Sequence, residues 1–332
     1  MKDKDVNRDK WKLFISQNKF ATPFQSVEYY DFINSVPKQV AKVFAIEIND
    51  ILQALCVVVF QREKGTKGYF SRRAIINGGP LLIDGEAGKL ALAHLMNFIN
   101  ITIKGKVIYG EIRNLVDYHN YKECFLTNNW YYEPHLNVQI QIKNKSREAI
   151  LRSMKYQRRR EVSLSIKSGV ITKQANNQNE IQKLYLILKN LYKVRVKSPL
   201  PTLDFFLKLY LSEVGKVFLV IHDNQIIGGT FCIYNMDLSV NTIYYCGLRN
   251  YHRNIFPTTM AVMAAIEFGI NYEMKLVDLM GAGKPDAEYG VRNYKIEFGG
   301  ELVEHGRFKN IYSPFLFRLG TIGLELLNRL RK

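Results

Sequence analysis

Two β-rich stretches, each able to fold back on itself, limit the architectures open to this chain more than any other feature. The run VAKVFAIEI (Val40–Ile48) leads through the pair Asn49–Asp50 into ILQALCVVVF (Ile51–Phe60). Turn formers between two runs of β-branched and aromatic residues read as a hairpin. The pattern returns in the second half as strands at Val217–His222 and Ile226–Tyr234, with a hairpin around Asn224–Gly229, and a further strand at Asn241–Gly247. The elements around the two hairpins are also alike. After the first come a strand in YFSRRAIINGGPLLI that stops at Gly78–Gly79–Pro80, a helical spacing at Glu86–Ile99, a strand at Lys106–Ile112, a helix around Tyr118–Thr127 and a strand near Leu136–Ile142. The second is preceded by helices at Arg147–Ser168 and Glu180–Val194. It is followed by a helix at Pro257–Tyr272, whose proline suits the first turn, and by a strand at Leu276–Met280. No sequence repeat proves duplication, but the order of elements predicts two α/β domains with mixed, mainly antiparallel sheets flanked by helices. A length of 332 residues fits two domains. The polar stretch Lys143–Ser146 predicts the boundary, giving domains 1–145 and 146–332.

Composition excludes several classes. With 47% apolar and 23% charged residues the chain can bury ordinary cores. The charged start Met1–Lys12 lacks the apolar run of a secretory signal, and no uninterrupted apolar stretch approaches the roughly 18–20 residues of a membrane span. The expectation is a cytoplasmic protein. Cys56, Cys124, Cys232 and Cys246 lie far apart, three of them in strand-like runs, which predicts neither a disulfide framework nor a metal site. The formal charge of +17 favours polyanionic partners such as RNA, nucleotide-linked sugars or an anionic membrane, although a basic surface also serves solubility.

The segments SMKYQRRREVSLSIKSGV and YGVRNYKIEFGGELVEHGRF, with the hairpin around Asn224–Gly229, resemble the FemABX peptidoglycan-bridge aminoacyltransferases. TPFQSVEYYDF and the glycines before Pro80 extend the resemblance to most of the chain. It implies a pair of GNAT-like (acyl-CoA N-acyltransferase-like) domains. It also implies transfer of an aminoacyl group from tRNA to the amine of a cell-wall precursor peptide, without a metal or a bound cofactor. The chain has no heptad counterpart of the coiled-coil arm that some members insert in the second domain to help hold tRNA. Shorter members lack that arm too.

A GNAT domain that uses acetyl-CoA normally carries a turn of the form Q/R-x-x-G-x-G/A, whose backbone N–H groups grip the pyrophosphate. The corresponding stretch here, Arg249 to Ile255, has no glycine after Gly247, so bulky side chains obstruct close backbone approach. This disfavours an acyl-CoA donor. Arg249, His252 and Arg253 can still hold a phosphate by side chain, or form a solvated loop. In Tyr289–Gly300, Lys295 lies between Tyr294 and Phe298. The resemblance places this lysine in the cleft as an aid to transfer, and a fixed ammonium can stabilise the oxyanion formed when an amine attacks an ester. The alternative is an exposed lysine at a helix end. Tyr294 and Phe298 read as core or cleft wall. Asp278 stands at the end of a strand, where open α/β sheets place ligand-facing residues, and a carboxylate there can accept the amine's proton. It can equally cap a helix or pair with an arginine. No Ser-His-Asp or Cys-His spacing is present, which fits direct attack by the substrate's amine.

The cluster Arg158, Arg159 and Arg160, with Arg152, Lys155 and Lys167, falls on one predicted helix, where Arg152 and Lys155 align with Arg159. The resemblance sets this helix beside the cleft, so Arg158 and Arg160 are candidate phosphate ligands, the alternative being a solvated face. The final run SPFLFRLGTIGLELLNRLRK reads as an amphipathic helix that packs onto its domain or rests on the inner membrane face. The chain has no aromatic-interleaved RNA motif. Together with these features, the resemblance implies an N-acyltransferase with Lys295 and Asp278 at its centre. Arg158, Arg160, Arg249, His252, Arg253 and Tyr294 would bind substrate, and the donor would be an aminoacyl-tRNA or another activated ester. The alternatives are an acyl-CoA-dependent enzyme acting on an amino sugar and a non-catalytic module that binds anionic ligands.

Overall fold

Both hairpins turn on residues in the left-handed conformation. Asn49 and Asp50 have φ of 48° and 65°, and Asp223 and Asn224 have φ of 48° and 58°. Two consecutive positive φ values give a tight turn whose twist matches that of the flanking strands, and Asn and Asp tolerate them best after glycine. The computed structural model describes residues 6–63, 65 and 67–330. The first five residues of Met1–Lys12, and Arg331–Lys332 at the end of the amphipathic run, lie outside them. The chain forms two units, Met1–Pro134 together with His305–Lys332, and His135–Glu304.

In the first unit β1 (Val40–Ile48) and β2 (Ile51–Gln61) form the first hairpin, and β2 continues antiparallel into β3 (Arg73–Gly78) and β4 (Leu81–Leu82). A helix over Gly85–Ile103 then crosses to β5 (Tyr109–Asn114), parallel to β3. That helix buries Leu92, Leu95, Met96, Ile99 and Ile103, one face at helical spacing. Each such side chain contributes about 1.5–3 kcal/mol of burial. β6 (Tyr131–Glu133) ends the first pass. The TPFQS and GGP motifs meet in this unit. Gln25 accepts from the Thr22 N–H (2.7 Å) and donates to the Gly79 carbonyl (2.7 Å), while the Tyr118 hydroxyl donates to the Pro80 carbonyl (2.7 Å). Gly79 has φ of 83°, and a Cβ there would lie 2.6 Å from the Tyr118 ring, so only glycine fits. These motifs hold the first sheet together.

The second unit contains β7 (Leu136–Gln141), β8 (Ile171–Gln174), β9 (Gly215–His222), β10 (Gln225–Asn235), β11 (Ser239–Gly247), β12 (Leu276–Gly281) and β13 (Glu301–Glu304), in the order β13-β7-β12-β11-β10-β9-β8. β11 and β12 are parallel and joined through the buried helix Pro257–Asn271, while the other neighbours are antiparallel. After β13 the chain turns at His305–Gly306 and enters β14 (Arg307–Ile311), which lies between β5 and β6 in the first sheet.

Two expectations need correction. A single cut at 145/146 does not describe the units. β7 pairs with β12 and β13, so the second unit begins at His135, and β14 carries the last 28 residues, 305–332, back to the first. The helix expected over Arg147–Ser168 is two helices, Arg147–Ser153 and Tyr156–Lys167. Met154 and Lys155 between them are extended, with ψ of 149° and 146°. Arg152, Lys155 and Arg159 therefore do not share one continuous helical face. Cys56, Cys232 and Cys246 are free and buried on β2, β10 and β11 as the strand pattern suggested, and Cys124 is free and partly buried.

β14 completes a charge ladder on the first sheet. Glu111 on β5 accepts from Arg307 at 2.7 Å and from Arg113 at 3.3 Å, and Lys309 pairs with Glu133 at 2.9 Å. Burial alone would push the Glu111 carboxyl up. Arg113 and Arg307 outweigh it and bring the carboxyl down to about 2. A folded value below the unfolded one stabilises above the ordinary carboxylate range, and the gain is lost as pH falls through about 4.5 towards 2. The shift corresponds to about 3 kcal/mol. Urea unfolding between pH 5 and 2.5 is expected to show this acid limb, and the limb should be shallower in Glu111→Gln.

Candidate active site

The second sheet opens at one place. β11 and β12 pair only through Ser239–Asn241 against Leu276–Asp278, and beyond that point the ladder between them stops. On its other side β12 carries a bulge: Asp278 lies opposite Gln139 and Gly281 opposite Asn137, one residue more on β12 than on β7. Met280 sits in the bulge with φ of 62°, a left-handed conformation that costs a non-glycine residue about 1–2 kcal/mol. Strain of this kind at a strand end concentrates at functional sites.

The bulge organises two charged side chains. The Asp278 carboxylate, 1% exposed, accepts from the Met280 N–H at 2.5 Å and from Gln139 Nε2 at 3.0 Å. Burial pushes its pKa up, against those hydrogen bonds and Lys295. Lys295, on the short helix Gly290–Ile296, is 6% exposed and donates Nζ to the carbonyls of Gly281 (2.8 Å) and Met280 (3.3 Å). Burial brings the ammonium down to about 8, and the charge of Asp278 acts against that shift. The lysine is thus not an exposed helix-end residue. It is a desolvated cation held by carbonyls that the bulge turns towards it.

Aromatic rings line this region. Tyr294 stacks against Tyr245 at 6.4 Å and meets Phe298 edge-on at 5.3 Å, while Tyr192 and Tyr244 lie 6.0 Å apart. Burial, with Tyr289 nearby, pushes the Tyr192 hydroxyl up to about 12. Phe298 is in the core and Tyr294 forms a wall.

Beside it a cleft of about 490 Å³ lies at the start of the Pro257–Asn271 helix, lined by Arg158, Glu161, Arg249, His252, Arg253, Tyr294 and the first helical residues. Phe256, at the N-cap, supplies no side-chain cap. The first turn therefore presents backbone N–H groups and the positive end of the helix dipole. Gly247 makes this possible, because a Cβ there would lie 2.7 Å from Pro257 and 2.6 Å from the Thr258 nitrogen. Arg249 and Arg253 are exposed, and among the described residues no carboxylate lies within ion-pair distance of either.

No protein-family model matches the sequence, and no curated protein matches it. Solved structures do. FemX superposes with a TM-score of 0.72 at 13% identity, over 96% of this chain and 99% of its own. The fold is that of FemX. The C-terminal domain of a putative lysylphosphatidylglycerol synthetase from Agrobacterium fabrum follows with a TM-score of 0.59 at 8% identity, over 96% of each chain. A tandem GNAT protein from the clavulanic acid biosynthesis pathway gives 0.56 at 10% identity, over 95% of this chain and 98% of that one. Two α/β units with mixed sheets are therefore the architecture, as the element order predicted, and they are GNAT-like, as the resemblance implied.

Within the FemX-like fold, the residues singled out from sequence fall into three groups. Lys295 and Asp278, predicted separately, are electrostatic neighbours at the bulge. Arg249, His252, Arg253, Tyr294 and Arg158 line the one cleft. Arg160 is exposed on the Tyr156–Lys167 helix and is not part of that lining. Arg158 differs from its expected role as a free phosphate ligand. Its guanidinium pairs with Glu161 and, at 2.8 Å, with Glu297, donates to Thr259 Oγ1 at 3.2 Å and lies 4.6 Å over the Tyr294 ring. Two carboxylates already balance it. The sequence reading missed Glu161, Glu297 and Thr259. Only the i,i+3 spacing of Arg158 and Glu161 hinted at the network.

Proposed function

We propose that the protein is an N-acyltransferase that moves an aminoacyl or acyl group from an activated ester to an amine on a cell-wall precursor or other glycan-linked acceptor. The observation that carries this reading is the buried Lys295 ammonium, fixed by the carbonyls of a strained bulge where parallel strands part in a FemX-like fold. The acceptor's neutral amine attacks the ester carbonyl, a C–N bond forms, and negative charge gathers on the carbonyl oxygen. A desolvated ammonium stabilises that charge more strongly than water does. The C–O bond then breaks, and the proton lost by the amine ends on the departing oxygen. Asp278 has no open face, so its part is to sustain the charge on Lys295 rather than to touch the substrate. The cleft with Arg249, His252 and Arg253 would hold a phosphate of the donor or acceptor. Resemblance to the FemABX enzymes supports tRNA as the donor and a cell-wall peptide as the acceptor, with the protein cytoplasmic. The neighbour named for lysylphosphatidylglycerol keeps a lipid-borne acceptor in view.

A second reading, an acyl-CoA-dependent enzyme, is favoured by one observation: the uncapped helix start that opens on the cationic cleft. Binding separates the two. Acetyl-CoA and a uridine-diphosphate-linked muramyl peptide are titrated calorimetrically at low and moderate salt. Salt-sensitive binding of the muramyl peptide, with none for acetyl-CoA, is the expected result. The reverse would replace the first reading with the second, and binding of anionic ligands without transfer from any donor would leave a binding module.

A further inference from the structure

We propose that the C-terminal helix of the first unit, with the short helix Lys67–Phe70 packed beside it, forms a docking surface for an anionic phospholipid bilayer. The inference stands apart from the function proposed above. The helix over Pro314–Leu330 has an inner side fixed by two contacts. Phe317 meets Tyr109 of β5 edge-on at 5.3 Å, and at Gly320 an added Cβ would come 3.3 Å from the Phe70 carbonyl. Phe315, Leu319 and Ile322, spaced i, i+4 and i+7, remain exposed, Phe315 by 73%. Tyr69 and Phe70 extend the apolar surface and are exposed as well.

The charges beside this surface all but specify its partner. Arg62, Arg72 and Arg73 flank the short helix, with Glu63 the one carboxylate among the described residues of that stretch. Arg318 is exposed within the helix, and Arg72 lies 4.6 Å over the Tyr69 ring. Apolar side chains framed by arginines suit the boundary between acyl chains and anionic headgroups, where the rings and aliphatic groups insert and the cations meet lipid phosphates. A second copy of the chain would bring the same cations face to face, which opposes self-association. Among the described residues no helix is long and apolar enough to cross a membrane, so the contact proposed lies on the surface.

Flotation of the full chain with vesicles tests this. Phosphatidylcholine vesicles should bind little. Vesicles with about 30 mol% phosphatidylglycerol should bind well and lose the protein as salt rises, because each exposed cation near such a surface adds roughly fivefold. Phe315→Ser with Leu319→Ser should lower partitioning at least roughly tenfold, with the melting temperature unchanged. Arg318→Glu, at an exposed position, should weaken binding to the anionic vesicles several-fold. Equal partitioning into both vesicle types, no binding, or binding indifferent to these substitutions would overturn the proposal. So would a concentration-dependent dimer that the double variant abolishes, because the surface would then join two copies of the chain.

Discussion

Replacing Lys295 with methionine is expected to slow acyl transfer by about two to three orders of magnitude, the usual loss when one oxyanion donor is removed, and to abolish a rise of stability at alkaline pH. The two halves of this expectation have one cause. The folded ammonium titrates at about 8 against an ordinary value of 10.5, so below pH 8 the protein holds a charged lysine in a place that disfavours it by about 3 kcal/mol. Above 10.5 the amine is neutral in both states and the penalty vanishes. Stability of the native protein should therefore rise with pH between about 8 and 10.5, where the unfolded chain binds the extra proton. The methionine variant should lack that rise. Because the ammonium is the acting form in the proposed mechanism, transfer should also fall as pH climbs through about 8. A melting temperature several degrees lower, together with the lost activity, would make Lys295 a structural residue. Transfer at the native rate would remove it from the mechanism.

The second large effect is expected at Arg158. Arg158→Ala should destabilise the second unit by about 3–5 kcal/mol in urea unfolding, because removing one partner of a buried pair leaves the other charge uncompensated. Here two carboxylates are involved: Glu161, itself buried, and Glu297, while the Tyr294 ring loses its cation. Arg158→Met combined with Glu161→Gln should recover a large part of the loss. A change below about 1 kcal/mol, the usual range for an exposed pair, would return Arg158 to the role of a free anion ligand in the cleft.

The sequence signals that held were local ones. Asn49–Asp50 and the runs around it gave β1 and β2 residue for residue up to Phe60, since period, composition and turn chemistry agree there. Pro257 marked its helix start for the same reason. The break at Met154–Lys155 carries no glycine or proline. It is fixed from a distance, where the Lys155 N–H donates to the Glu297 carbonyl at 3.0 Å. β6, β8, β13 and β14 have three to five residues each, too few for a period to show. The candidate site was legible in parts. Strand-end logic pointed to Asp278 and resemblance to Lys295, but no spacing links a strand end to a helix 17 residues on. The bulge that joins them depends on β7, which lies far earlier in the chain. Burial of Arg158 was equally invisible, because one of its carboxylates comes from residue 297.

The placement of β14 also sets an order of assembly. It is an inner strand of the first sheet, between β5 and β6, yet it is the last strand to leave the ribosome. Domains usually complete from the amino terminus onward during synthesis. Here the sheet that starts first must wait, with β5 and β6 lacking the strand between them, while all of His135–Glu304 is translated and can close its own sheet. Until Ile311 has emerged, the facing edges of β5 and β6 offer unpaired backbone groups of the kind that recruit other chains. A stop codon anywhere in the second unit would strand the first in that state, so the first unit cannot be made without translating the second.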